Sequence, residues 1–168
     1  MDEVLVSTIL DECAKEAVKS IAKGEGGPFG SLILKSYEDS EKYEVVGRGH
    51  NTVISDNDPT AHGEINAIRD ACNNLETFDL SGCILFTSSE PCPMCISAIR
   101  WARIDTIIYA NTKKDAANIG FSDDDITKEL LMLFKYDESN FTYKHIPNKS
   151  CENSFKLYKD QFIKDIKY

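Results

Sequence analysis

From Val6 onward the apolar residues Ile9, Leu10, Cys13, Ala14, Ala17, Val18 and Ile21 return at three- and four-residue steps, the stripe of an amphipathic helix. Gly24 supplies its stop. After the turn-rich "GEGGPFG", Ser31 to Lys35 and Glu44 to Gly49 read as two strands joined around the polar "SYEDSEKY", an antiparallel pair. Asp58 suits a helix N-cap and Pro59 a first helical position, and Ile65, Ile68 and Cys72 or Leu75 then mark a buried face. His62 and Glu64 would lie in the first turns of that helix.

The next stretch alternates element types. "CILFTS" reads as a short buried strand, "PCPMCISAIRWAR" as a helix and "TIIYAN" as another strand. A strand-helix-strand unit requires a parallel crossover, so the fold class is α/β. Beyond Asn111 the pattern weakens. "KDAANIGFSDDDITKELLMLF" holds one or two short helices, "FTYKHI" a further strand and "SFKLYKDQFIKDIKY" a terminal helix. The stripe Phe155, Tyr158, Phe162 and Ile166 on that last helix must bury against this chain or a partner's.

No linker or repeat divides the 168 residues, so they are read as one domain, long enough to remove roughly 70% of their extended surface from water. The balance of 19 Lys and Arg against 28 Asp and Glu gives a formal charge of -9. That charge repels phosphate backbones and argues against nucleic acid as the main partner. Of the six cysteines only Cys92 and Cys95 lie close together, which is not a secreted disulfide framework. The N-terminal "MDEVLVSTILDECAKEAVKSIAKG" has neither the charge order of a signal peptide nor an apolar run able to span a membrane. A cytoplasmic protein without a membrane partner is expected.

Cys92-x-x-Cys95 allows a redox pair, half of a structural zinc site or part of a catalytic one. A structural site needs four protein ligands, and a second Cys-x-x-Cys is missing, although His62 with Cys72, Cys83 or Cys151 would complete one. One histidine and two thiolates instead leave a fourth tetrahedral position open for water, whose pKa zinc lowers toward ~7. Glu64 beside that water would act as base and then as acid, moving a proton from water to a ring nitrogen of the substrate. His-x-Glu followed by Pro-Cys-x-x-Cys is the signature of zinc-dependent base deaminases, and "HGE" at 62–64 and "PCPMC" at 91–95 match it. As ordinary residues, His62 would be a capping or core histidine, Glu64 a first-turn acid, and Cys13, Cys72 and Cys83 small core residues. Trp101 would be core, with an even claim to a substrate contact.

Through "GGPFG" at 26–30, "HN" at 50–51, "NDPTAHGEINAIRDAC" at 57–72, "LFTSSEPCPMC" at 85–95, "AIRWAR" at 98–103 and "DAANIGF" at 115–121, the sequence resembles the cytidine deaminase-like superfamily. It is most similar there to the bacterial-type guanine deaminases. The resemblance implies a three-layer α/β/α fold with a five-stranded mixed sheet and one zinc ion held by His62, Cys92 and Cys95. It implies Glu64 as proton shuttle, Phe29 for stacking, Asn51 for a polar purine contact, and Asp123 for the 2-amino edge and proton traffic to leaving ammonia. It also implies Trp101 in the pocket wall, a purine base as ligand, and a homodimer exchanging its C-terminal helix (about 152–168), so that Tyr168 reaches the partner's active site. The activity implied is hydrolysis of guanine to xanthine and ammonia. Guanosine, cytosine or another aminated ring is the alternative substrate, and a zinc-stabilised purine-binding module the alternative without catalysis. Gly63 and Ser89 depart from the closest pattern, which has Ala and Cys there, and Gly63 looks more like fungal cytosine deaminase.

Overall fold

A computed structural model describes residues 1–37, 42–133 and 142–162. The described elements run α1 (Glu3–Lys23), β1 (Gly30–Ser36), β2 (Tyr43–His50), α2 (Val53–Asp56), α3 (Gly63–Leu75) and β3 (Cys83–Ser89). They continue through α4 (Pro93–Trp101), β4 (Thr106–Asn111), α5 (Lys113–Ala117), α6 (Asp124–Leu133), β5 (Thr142–His145) and α7 (Lys149–Phe162). The five strands form one sheet in the order β2-β1-β3-β4-β5. β1 pairs antiparallel with β2 and β3, while β3, β4 and β5 run parallel. The expected hairpin and crossover are both present in this mixed sheet.

Alternation along the strands divides the core into two layers, because successive side chains point to opposite faces. Ile33, Leu85 and Ile107 pack with Ala67 and Ala71 of α3 and Ile99 of α4. Leu32, Leu34, Phe86 and Ile108 pack on the other side with Leu10, Cys13 and Ala14 of α1 and Cys151 of α7. Both faces of the sheet are thus covered, which explains the near-continuous apolar character of β1, β3 and β4. Cys13 and Cys83 are core residues, as expected, and Cys72 packs at the edge of the same core.

Three local findings bear on the site. Gly24 ends α1 in the left-handed region at φ 68°, where a side chain would be strained. The expected helix start at Asp58 and Pro59 is corrected, since α3 begins at Gly63 with His62 as its N-cap. The Asp58 carboxylate instead accepts hydrogen bonds from the Thr60 backbone N–H and hydroxyl at 2.8 and 2.7 Å, forming a local Asx turn that uses up its capping capacity. The described part of the terminal stripe also finds cover within the chain. Phe155 and Tyr158 are buried in a cluster with Ile21, Ala116 and Ile119, against which Phe29 and Phe121 pack. Ile166 and Tyr168 lie outside the described residues.

Candidate active site

His62 and Cys92 occupy equivalent places, the N-caps of α3 and α4, in extended backbone at φ -72° and -69°. Neither side chain makes a capping hydrogen bond, so both are available to point away from their helices. Pro93 follows Cys92 at the first helical position of α4, and Cys95 stands one turn in. The two helix N-termini therefore converge on one point, where their unpaired N–H groups and dipoles favour negative charge.

The Nδ1 atom of His62 lies 3.6 Å from Cys92 Sγ and 3.5 Å from Cys95 Sγ, and the donor atoms of all three residues lie within 4.8 Å of one another. Tetrahedral zinc with ordinary bond lengths would separate a nitrogen and a sulfur ligand by about 3.6 Å. The donor set fits that ion in type and spacing. A hydrogen bond from Cys95 holds Cys92 well below the usual thiol range, and that same bond, with burial, pushes Cys95 well above it. A metal would displace the remaining proton.

Glu64 is the second residue of α3, 6% exposed, and burial pushes its carboxyl up. It faces the cysteines and interacts with the Cys95 thiol. Gly63 explains how it gets there. A methyl at this position would sit 3.1 Å from the Phe29 carbonyl oxygen, so its absence lets the 29–30 backbone lie close against the first turn of α3.

These residues open into a cavity of about 360 Å³ whose wall includes Phe29, Asn51, His62, Glu64, Cys92 and Asp123. The structure thus brings six of the nine anticipated residues to the cavity wall, and Cys95 stands behind it among the metal donors. Phe29 stands edge-on to Phe121, ring centroids 4.9 Å apart. Asn51 Oδ1 accepts from the backbone N–H of Gly27 and of Val53, both at 3.2 Å, which fixes its Nδ2 as the donor end of the amide. Asp123 is pushed up by burial and opposed by the Lys113 ammonium, 3.7 Å from Oδ2. That oxygen is buried without a hydrogen-bond partner, an acceptor held ready for a donor.

Trp101 is corrected. It lies on the last turn of α4, 84% exposed, and nine residues of helix, roughly 13 Å, carry it away from Cys92. It does not line this chain's cavity. Tyr168 lies outside the described residues. Sequence reasoning passed over Phe121 and Lys113, which also line the cavity. Phe121 closes the quoted "DAANIGF" motif, a signal that was present, whereas nothing local marks Lys113 as a neighbour of Asp123.

Residues 6–111 match the family described as the cytidine and deoxycytidylate deaminase zinc-binding region. Guanine deaminase from Bacillus subtilis (strain 168) is 45% identical over 123 residues, 73% of this chain and 75% of that protein. A tRNA-specific adenosine deaminase from Aquifex aeolicus is 39% identical over 100 residues, 60% of this chain and 62% of that one. The X-ray structure of the Bacillus subtilis guanine deaminase aligns over 100% of both chains with a TM-score of 0.68 at 36% identity.

Proposed function

Because this chain belongs to the cytidine and deoxycytidylate deaminase zinc-binding family, we propose that it hydrolyses guanine to xanthine and ammonia. The observation that carries the reading is the convergence, in one cavity, of a zinc donor set, a buried carboxyl and a fixed amide donor, in a chain so similar to a guanine deaminase. Zinc at His62, Cys92 and Cys95, when bound, supplies the Lewis acidity that makes water a nucleophile near neutral pH.

The chain's own residues do the rest. Asn51 offers its Nδ2 donor to an acceptor on the purine rim, and Phe29 with Phe121 walls the flat ring. Glu64 takes a proton from the attacking water and delivers it to the ring nitrogen next to C2. A bond forms from water oxygen to C2, the bond from C2 to the exocyclic nitrogen breaks, and the second water proton leaves on ammonia. Asp123 accepts an N–H of the 2-amino group and carries protons toward that leaving nitrogen. Its burial suits this role, since burial raises the carboxyl above the ordinary aspartate range and so makes it a better proton acceptor.

Ammonia release measured over guanine, guanosine, cytosine and adenine tests the assignment. Guanine is expected to be turned over fastest, and Asp123→Asn should lower its turnover about 10²-fold while bound zinc stays at one per chain. Faster release from cytosine or guanosine would reassign the substrate, and an Asp123→Asn enzyme of full activity would remove that residue from the mechanism.

We also propose a cytoplasmic homodimer. All six cysteines are free, and among the described residues no helix is long and apolar enough to cross a membrane. Trp101 and Phe78, 84% and 73% exposed, offer apolar surface to a second copy. In this arrangement the C-terminal segment serves the partner's cavity. Deletion of 166–168 should then cut activity more than it lowers Tm. A monomer by light scattering at assay concentration, or full activity after the deletion, would overturn the dimer.

A further inference from the structure

Behind the cavity wall lies a charged cluster that the reaction as described does not use. His50, the last residue of β2 and the neighbour of Asn51, has a carboxylate at each ring nitrogen. Nε2 is 2.7 Å from Glu25 Oε2, and Nδ1 is 3.6 Å from Glu16 Oε2. Glu16 belongs to α1 and is only 3% exposed, whereas Glu25 opens the loop that leads to Phe29. We propose that His50 is a positioning residue for purine binding, its imidazolium clamping together the two loops that present Phe29 and Asn51. The inference rests on reading the cavity as the purine site.

The surrounding hydrogen bonds make this clamp specific to those loops. The Glu25 carbonyl accepts from the backbone N–H of Ile54 and Ser55, at 3.0 and 3.2 Å, and Asn51 N–H donates to the Phe29 carbonyl at 3.0 Å. Ser20 Oγ donates to the Asn51 carbonyl at 2.6 Å, and Asn66 Nδ2 to that of His50 at 2.9 Å. The backbone on either side of Asn51 is thus tied to α1, to the 25–29 loop and to α3. Among the described residues, the ring of His50 is the group in this network that bridges two carboxylates from different segments.

Other charges face the cluster. Lys19 lies 2.7 Å from Glu16, Arg48 lies 3.5 Å from Glu16 and 3.6 Å from Glu12, and Lys23 lies 3.6 Å from Glu25. Asp70 accepts from the Arg48 backbone N–H at 2.8 Å. These cations each serve one carboxylate of the clamp, so none replaces the bridge. An imidazole facing a carboxylate at both nitrogens needs both protons, because the neutral ring would turn a lone pair toward one of them.

The Glu16 carboxylate raises the His50 pKa, burial opposes the rise, and Glu25 adds to it. A histidine raised in this way contributes its full stabilisation below the ordinary histidine value, and loses it as pH climbs through the raised one. The clamp is therefore closed on the acidic side and opens as the medium becomes alkaline.

Guanine turnover by the zinc-loaded enzyme, followed by ammonia release from about pH 6 to 9 around the histidine range, tests this. Wild-type KM should be low and constant at the acidic end and rise through the His50 pKa. His50→Gln should raise KM about tenfold at the acidic end, the scale of one lost charged hydrogen bond, with kcat within about twofold and with the His50-dependent rise gone. Ionisation of guanine, Glu64 and Asp123 is common to both proteins, so the difference between the profiles reports His50. Glu25→Gln removes one side of the clamp at a partly exposed position and should move the KM inflection to lower pH, and it decides the matter alone if His50→Gln does not fold. A lower Tm with wild-type KM and an unchanged pH profile in these variants would overturn the proposal and leave His50 a purely structural residue. A wild-type enzyme that releases no ammonia from guanine would overturn the functional reading and this inference together. Turnover with an indifferent His50 overturns this inference only.

Discussion

Replacing Glu64 with glutamine should lower turnover by roughly 10²–10⁴-fold, the range typical of a lost general acid–base group, while zinc content and Tm stay at wild-type values. The amide keeps the shape and length of the side chain, so the first turn of α3 and the close approach of the Phe29 backbone across Gly63 survive. It cannot pick up a proton from water and hand it on. Because Glu64 is 6% exposed and burial already raises its carboxyl, the uncharged amide adds no desolvation cost to the fold. Steady-state ammonia release, metal analysis and thermal melting on one preparation make the comparison. Wild-type turnover would remove Glu64 from the mechanism, and loss of zinc along with activity would make it a metal ligand.

Cys92→Ala should reduce bound zinc from one per chain to none and abolish turnover. It should also remove the rise in Tm that zinc gives the wild-type chain. A ligand present at about a hundredfold over its Kd stabilises by ~2.7 kcal/mol, which for a chain of this size is roughly 5–10 °C. Stripping the wild type with a chelator should lower its Tm by that amount and readdition of zinc should restore it. The variant should respond to neither. The physical basis is the three-donor cage, whose nitrogen and sulfur atoms stand 3.5 and 3.6 Å apart. With one thiolate gone, two donors are too few to hold the ion against water. Full zinc occupancy in the variant would show that the metal sits elsewhere.

Much of this architecture was legible in the chain. The stripe of α1, its glycine stop and the apolar character of β3 and β4 are sustained over enough residues for periodicity to identify them, and all three appear where expected. The candidate metal donors and the carboxyl proposed for proton transfer are legible for a different reason. His62 with Glu64, and Cys92 with Cys95, lie two and three positions apart, so one helix start is sufficient to aim both members of a pair. At Asp58 a local rule has two uses for one residue. Asp58 is chemically fit to cap a helix, but its carboxylate closes the turn at Thr60 and the helix starts at His62 instead. Resemblance puts Trp101 in the pocket wall, whereas its position at the far end of α4 leaves it in solvent.

The amino-acid sequence by itself determined the class of fold, the three residues able to hold zinc and the carboxyl proposed to work beside them, because periodicity and short spacing are properties of the chain alone. Which distant residues share the cavity was decided only by the tertiary structure. The sheet order places the 25–29 loop beside the end of β2, so Glu25 meets His50 and the Phe29 carbonyl meets Asn51. The path after β4 brings Lys113 to Asp123 and lets Phe121 stand against Phe29, with Tyr158 of α7 packed against Phe121. These contacts join segments separated by up to about 90 residues along the chain, where no hydrophobic period extends. They exist because both faces of the sheet must be buried, and burying them leaves one arrangement of loops at the ends of the strands.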